Sequence, residues 1–312
     1  MDIDLVYLWV NGNDPEWQKK RNQFANGGKH DSALDGKGRY ADNDELLYSL
    51  RSAAMYAPWL RKIFIVTDRQ IPEWLDTSNP KIQIVDHTEI LPHEVLPTFN
   101  STVIEHALHR IPDLSEHFLY ANDDLFFNRP VKPSDFFTAD GKPIARLNRR
   151  PLRKFTLWFK EKIQKKPLSV YNHTIRTSAE MVKARFGKYI GHKTHHNIDA
   201  YRRSDYRHAY ELFRERIDRT LSNRVRSRDD VQRNLYTYVA MCEDKAEVQF
   251  VDQHTSFRLH IDKPERYAKL LKYNPMLFCL NDSEYSTDDD RRKVSEFLAE
   301  RFPSPSPYEI KR

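Results

Sequence analysis

Cysteine is nearly missing. Two occur in 312 residues, Cys242 and Cys279, in no C-x-x-C arrangement, which excludes a disulfide scaffold and suits a reducing compartment. No apolar run approaches the roughly 20 residues that a bilayer-spanning helix requires, and Met1-Asp2-Ile3-Asp4 is acidic where a signal peptide is basic. Internal repeats and low-complexity tracts are absent as well, which excludes a repeat array. Glycine is scarce: of eight, four fall between residues 26 and 38, and that stretch reads as a flexible loop closing over a site.

What remains is a chain with 39% hydrophobic and 31% charged residues, the balance of a soluble globular protein with a sizeable core. Lys and Arg number 51 against 45 Asp and Glu, a net charge of +6, which points to an anionic partner, membrane face or polymer.

The chain is organised around His117 to Arg129, H-F-L-Y-A-N-D-D-L-F-F-N-R. The apolar run Phe118-Leu119-Tyr120 reads as a buried strand that stops at Asn122, Asp123 and Asp124. In open α/β sheets ligands sit at the carboxyl ends of strands. Two adjacent acids there repel each other and lose hydration, so a hard cation such as Mg²⁺ (or Mn²⁺) holding a phosphate-bearing substrate would compensate them. The plain alternative is a polar turn with one Asp capping the next element.

Earlier strands show the same form. Leu5–Val10 ends in Asn11-Gly12-Asn13-Asp14, Ile63–Val66 in Thr67-Asp68, and Ile82–Val85 in Asp86-His87. Helical spacing follows the acids at 42–45 and recurs from Thr102 to Ile111. Strands alternating with helices predict an α/β fold, a Rossmann-like, mostly parallel sheet flanked by helices. Acids at every strand end predict a polar crevice along one sheet edge. Met276–Leu280 before Asn281-Asp282 resembles the early strands and is expected to join them, so residues 1–312 read as a single domain.

Residues 146–166 are densely basic (Arg146, Arg149, Arg150, Arg153, Lys154, Lys160, Lys162, Lys165, Lys166), with Leu152, Phe155, Phe159 and Ile163 at helical spacing beside Trp158. They predict an amphipathic helical excursion beside the cleft that lies on anionic lipid or grips an acidic acceptor, or else a plain solvated helix. His192, His195 and His196 cluster without zinc-finger spacing, which favours a catalytic imidazole. A helix is expected from Ser204 to Leu221. Arg224, Arg226 and Arg228 then adjoin Asp229 and Asp230, a pattern suited to phosphate oxygens or to an internal Arg–Asp network.

Four ordered blocks of this chain resemble the Stealth phosphotransferases. They are I-D-L-V-Y-L-W-V-N-G-N-D-P-E-W (Ile3 to Trp17), a long block from R-Y-A-D-N-D-E-L-L-Y-S-L-R-S (Arg39 to Ser52) to Y-A-N-D-D-L-F-F, H-H-N-I-D through R-S-R-D-D-V-Q, and C-L-N-D with the closing F-P-S-P-S-P-Y-E. The third block departs from the family's Pro-His pair, with His195 in the Pro position. The resemblance implies transfer of a sugar-1-phosphate, with N-acetylhexosamine-1-phosphate the expected case, from a UDP-sugar to a hydroxyl of a saccharide or polysaccharide acceptor, releasing UMP in capsule or exopolysaccharide synthesis. It assigns Asp123 and Asp124 to the metal and to catalysis, His196 to the base with His195 as its substitute, and Arg226 to the phosphoryl oxygens. Asn11, Asp14, Arg39, Asp42, Asn43 and Arg51 would line the donor pocket, with His195, Asn281 and Asp282 also binding substrate. The expected location is cytoplasmic, at the inner face of a bacterial membrane, without nucleic acid. Two rivals stay open: a metal-dependent glycosyltransferase releasing UDP, and a non-enzymatic basic module binding a polyanion.

Overall fold

A computed structural model describes residues 1–25, 44–283 and 285–311. Its main sheet has the order β3-β2-β1-β4-β8, built from β1 (Ile3–Leu8), β2 (Ile63–Thr67), β3 (Ile82–Asp86), β4 (His117–Asn122) and β8 (Asp199–Arg202). The first four strands run parallel and β8 is antiparallel to β4. β1 is buried along its whole length, because layers cover both faces of the sheet. Val6, Phe64, Val66, Phe118 and Tyr120 feed one core. Their neighbours Leu5, Tyr7, Ile63, Ile65 and Leu119 feed the other, as the period of two demands. Helix α1 (Pro15–Ala25) follows β1, and α2 (Glu45–Tyr56) buries Leu46, Leu50 and Ala53 in the second core.

Four sequence expectations need correction. The late strand β11 (Leu277–Asn281) does not join the main sheet. It pairs with β10 (Ser256–His260) and with β5 (Leu125–Phe127) in a separate sheet of order β10-β11-β5. Every residue from Leu277 to Leu280 is buried, so an apolar run reads the same in either sheet. One face of this small sheet stacks Phe126 on Phe278 with ring centroids 4.7 Å apart, and both pack with Val294 and Leu298 of the helix Asp288–Arg301 and with Phe302 just past its end.

The basic segment is no single helix. It opens as β6 (Ile144–Asn148), flanked by β7 (Lys193–Thr194) and β9 (Glu247–Phe250). Arg146 is buried over the Phe136 ring, at 5.0 Å. The helix proper covers Arg153–Trp158 and continues as a wider π turn, Phe159–Ile163. A longer helix, Val170–Phe186, follows and ends on Gly187 at φ 73°, a left-handed cap that glycine takes without strain. The segment expected as one helix from Ser204 to Leu221 breaks at Phe213 into Arg203–Leu212 and Arg214–Leu221.

The acids at strand ends do not form a continuous crevice. Asp68 pairs with Lys20. Asp86 caps the next turn, accepting from Thr88 N at 3.0 Å and Arg69 N at 2.8 Å. At the end of β4 stand the adjacent carboxylates of Asp123 and Asp124.

Candidate active site

The chain runs from β1 outward through β2 and β3, then returns to place β4 on the other side of β1. The carboxyl ends of β1 and β4 therefore flank the point where strand order reverses, the usual ligand crevice of such sheets. On the β1 side, Gln70 clasps the loop, with its Nε2 donating to Asp14 Oδ2 (2.8 Å) and to Asn11 O (3.2 Å). Asn11 Oδ1 accepts from Asn13 N, and Asp14 Oδ1 from Glu16 N. The Gln70 bond, reinforced by Glu16 N, holds the Asp14 carboxyl below its ordinary range. Both side chains thus shape the lip of the crevice. Arg39, Asp42 and Asn43, and the loop at 26–38, lie outside the described residues.

On the β4 side, Asp123 Oδ1 accepts from Asp124 N at 3.1 Å, closing the turn into β5. Asp124 is different. Its Oδ1 is buried without a hydrogen-bond partner. Burial first, and then the charge of Glu45, push its carboxyl up to about 7, while Arg258 pulls the other way. Glu45 is the first residue of α2 and is itself buried. An orphaned carboxylate oxygen beside a second acid is an arrangement that a cation relieves. Among the described residues no three acid, histidine or cysteine side chains converge on one point.

The two adjacent histidines separate cleanly. His195 is buried, with Nε2 3.0 Å from Asp199 Oδ1 and Nδ1 3.1 Å from Ser256 Oγ. Its ring thus faces the interior of the fold, between Asp199 and Ser256. His196 is only partly buried and makes no side-chain hydrogen bond among the described residues. Burial, then Arg258 and Arg233, push its imidazole down to about 3, so it is neutral at physiological pH. His192 accepts from Arg150 N at 2.8 Å and packs edge-on against Phe250.

Behind His195 runs a buried polar chain. Asp199 Oδ2 accepts from Arg233 Nη1 at 2.6 Å. Burial alone would raise the Asp199 carboxyl, yet Arg233 and His195 hold it below its ordinary range. The Arg233 guanidinium lies 4.2 Å from the centre of the Tyr120 ring and 3.9 Å from Glu105 Oε1. The Tyr120 hydroxyl is shared between Glu105 Oε1 (2.9 Å) and Asn122 Oδ1 (2.7 Å). The histidine loop and the acidic turn are thereby locked to one another. Arg226 joins this region, donating to Ser101 Oγ at 2.8 Å and bearing on Glu105. Asp230, its neighbour in sequence, is structural: its Oδ2 accepts from Asn100 Nδ2 (2.9 Å) and Ser227 N (2.8 Å).

Asn281 ends β11 and lies 3.4 Å from His260 Nδ1, while Asp282 is held by Arg291 Nε at 2.9 Å. Arg51 is engaged with the C-terminal segment. Its Nε and Nη2 fork onto Glu309 at 2.9 and 2.7 Å, and its Nη1 donates to Phe302 O at 3.0 Å, so it clamps the C-terminal segment.

Sequence reading missed three residues on β10. Ser256, Arg258 and His260 share one face, opposite Phe257 and Leu259. Arg258 is opposite the buried Cys279 in the register and exposed, and its charge reaches Asp124 and His196 together. The alternation S-F-R-L-H was the signal that could have found it. Glu45 was read only as a helix-dipole partner.

Two family descriptions match the chain: Stealth protein CR1, conserved region 1, over residues 1–29, and Stealth protein CR2, conserved region 2, over residues 39–145. The chain is 35% identical to the capsular polysaccharide phosphotransferase fcs1 of Haemophilus influenzae, across 92% of this chain and 79% of that protein. It is 34% identical to the capsular polysaccharide phosphotransferase LcbA of Neisseria meningitidis, across 96% and 83%. Against the exopolysaccharide phosphotransferase SCO6023 of Streptomyces coelicolor the identity is 35% across 99% of this chain, which spans 52% of that longer protein. Among solved structures, the galactosyltransferase LgtC with donor and acceptor sugar analogues is similar at a TM-score of 0.47 and 13% identity, across 97% of this chain and 96% of that one. The extent of identity with fcs1 and LcbA settles the family: the chain belongs to the Stealth phosphotransferases of capsular and exopolysaccharide synthesis.

Proposed function

We propose that this protein transfers a hexose-1-phosphate, an N-acetylhexosamine-1-phosphate in the simplest case, from a UDP-sugar to a hydroxyl of a saccharide acceptor. The observation that carries this reading is Asp124, with its orphaned buried oxygen beside Glu45 and within reach of the charge of Arg258. The acceptor oxygen forms a bond to the sugar-bearing phosphorus, the phosphoanhydride bond breaks, and UMP leaves with that bond's electron pair. The acceptor proton passes to a ring nitrogen of His196, which is neutral and without a hydrogen-bond partner among the described residues. Arg258 and Arg226 face negative charge on the phosphoryl oxygens, the main demand of phosphoryl transfer. Asp124, with Glu45 or Asp123, would hold Mg²⁺ or Mn²⁺, which when bound neutralises diphosphate charge. His195, fixed by Asp199 and Ser256, keeps the loop in place.

The same reading includes a membrane contact. Leu152, Phe155, Trp158, Phe159 and Ile163 are exposed on the segment 152–163, among Lys154, Lys160, Lys162, Lys165 and Lys166. Exposed aromatics ringed by lysines fit the interface of an anionic bilayer, and we place that bilayer at the inner face of a bacterial membrane. No helix among the described residues is long and apolar enough to cross it. The test of the reaction is incubation with Mg²⁺, an acceptor saccharide and a panel of UDP-sugars. UMP as the nucleotide product supports the reading, and UDP makes the protein a glycosyltransferase.

A further inference from the structure

Arg153 is a buried cation with no ion-pair or hydrogen-bond partner among the described residues. It is 5% exposed, and Nε, Nη1 and Nη2 all lack such a partner there. A guanidinium so placed normally forks onto a carboxylate, because an uncompensated buried charge is costly. Its surroundings are instead Tyr171, Tyr189, Tyr238 and Arg150. The Tyr189 hydroxyl is likewise buried without a partner.

Lys193 lies on the same side. It stands in β7 opposite Asn148 of β6, with Nζ 4.8 Å above the Tyr171 ring. The hydrogen bond from Arg150 N to His192 Nδ1 holds the 150–153 turn against this strand. Burial, and then the charges of Arg153, Arg150 and Arg258, lower the Lys193 ammonium to about 8. None of Arg150, Arg153, Lys193 and Arg258 forms an ion pair among the described residues, whereas the partly buried Arg233 does. Buried Arg153 and half-buried Lys193, with the exposed Arg150 and Arg258 close enough to bear on Lys193 and with the Tyr189 hydroxyl beside Arg153, are donors without an anionic partner among the described residues.

We propose that these residues form a phosphate-binding pocket, with Arg153 and Lys193 gripping the oxygens, Arg150 and the Tyr189 hydroxyl completing the donor set, and Arg258 linking it to the transfer site. Charge-assisted donors of this kind are the ones that hold phosphate oxygens strongly. Arg258 bears on Lys193 on one side and on Asp124 and His196 on the other, so the phosphate held is a neighbour of the one transferred. It belongs either to the donor diphosphate or to a phosphodiester already present in the acceptor. This assignment of sources rests on the proposed reaction; the pocket itself does not.

The test uses Arg153→Met, which keeps the apolar stem, and Lys193→Gln, each in the full chain. The probes are inorganic phosphate, UDP, and a saccharide carrying one internal phosphodiester, with binding read by calorimetry and thermal shift in the absence of turnover. Affinity for at least one probe should fall about tenfold or more in each variant. Ligand-free Arg153→Met should melt at or above the wild-type temperature, since a stranded charge has been removed. A loss confined to the phosphodiester saccharide assigns the pocket to the acceptor, and a loss confined to UDP assigns it to the donor. Unchanged affinity for all three probes in both variants overturns the proposal, whether or not Arg153→Met is destabilised. Failure to release UMP in the separate turnover assay would count against the reaction and leave this result standing.

Discussion

His195 Nε2 lies 3.0 Å from Asp199 Oδ1 and its Nδ1 3.1 Å from Ser256 Oγ, so the buried ring faces protein groups on both sides. That contact separates the roles of two adjacent histidines that sequence alone leaves interchangeable. His196→Ala should lower kcat by about 10²–10⁴-fold, the usual contribution of a positioned base, with donor affinity and melting temperature near wild type. His195→Ala should instead lower thermal stability, because it removes a partner of a buried carboxylate, a loss of about 1–3 kcal/mol. Steady-state kinetics beside circular-dichroism melts distinguish them. A stable but inactive His195→Ala with an active His196→Ala would reverse the assignment.

Arg258 bears on the same proton transfer. In the ligand-free site, burial and then Arg258 hold His196 at about 3, low for a base working near neutrality. A bound diphosphate beside Arg258 offsets that cation and raises the imidazole. The acidic limb of kcat, which reports the complex, should therefore lie at higher pH than the acidic limb of kcat/KM, which reports free enzyme. Arg258→Met should move the free-enzyme limb upward and slow turnover. Coincident limbs that Arg258→Met leaves in place would show that His196 does not feel Arg258.

Asp124 gives a stability signature independent of turnover. Burial and Glu45 raise its carboxyl from 3.8 to about 7. Between those pH values the folded state binds more protons than the unfolded one, so stability falls as pH rises through that window. Asp124→Asn mimics the protonated form and should flatten the fall while abolishing most turnover. Melting curves from pH 4 to 8, with and without Mg²⁺, check this: Mg²⁺ should stabilise the wild type near pH 7 and leave the variant unmoved. Equal slopes for the two proteins would contradict the strained-carboxylate reading.

The surface segment 152–163 is tested on lipid. Sedimentation with vesicles containing anionic phosphatidylglycerol should carry the wild type down, and Phe155→Ser with Trp158→Ser should release it, while UDP-sugar affinity stays within twofold. Binding that depends on the lysines alone, and is indifferent to both aromatics, would reduce the contact to simple charge attraction.

How far the sequence could be read follows from what each pattern encodes. The parallel strands β1, β2 and β4 were legible because strands buried on both faces are short, continuous apolar runs closed by polar turns, and β3, an edge strand with Gln83 exposed, was legible from its β-branched residues and the acid that closes it. Burial says nothing about which sheet a strand enters, so β11 was placed wrongly. Net positive charge concealed the strand at Ile144–Asn148, because Arg146 looks like a solvated residue until Phe136 is seen beneath it. The acidic turn at Asp123-Asp124 was found as a motif. Its partner Glu45 arrives from 79 residues upstream, and Arg258 from 134 residues downstream, of Asp124, a convergence only the fold discloses. Asp68 and Asp86 were read as strand-end acids of one crevice, and in the fold Asp68 pairs with Lys20 and Asp86 caps the next turn, while Arg51 forks onto Glu309.

The central claim is that phosphorus travels with the sugar. A UDP-sugar labelled at the sugar-bearing phosphorus, incubated with Mg²⁺ and an acceptor saccharide, tests it most directly. The account predicts label in a phosphodiester of the saccharide product and unlabelled UMP in solution. Label retained in released UDP, with an unphosphorylated glycoside as product, would contradict it.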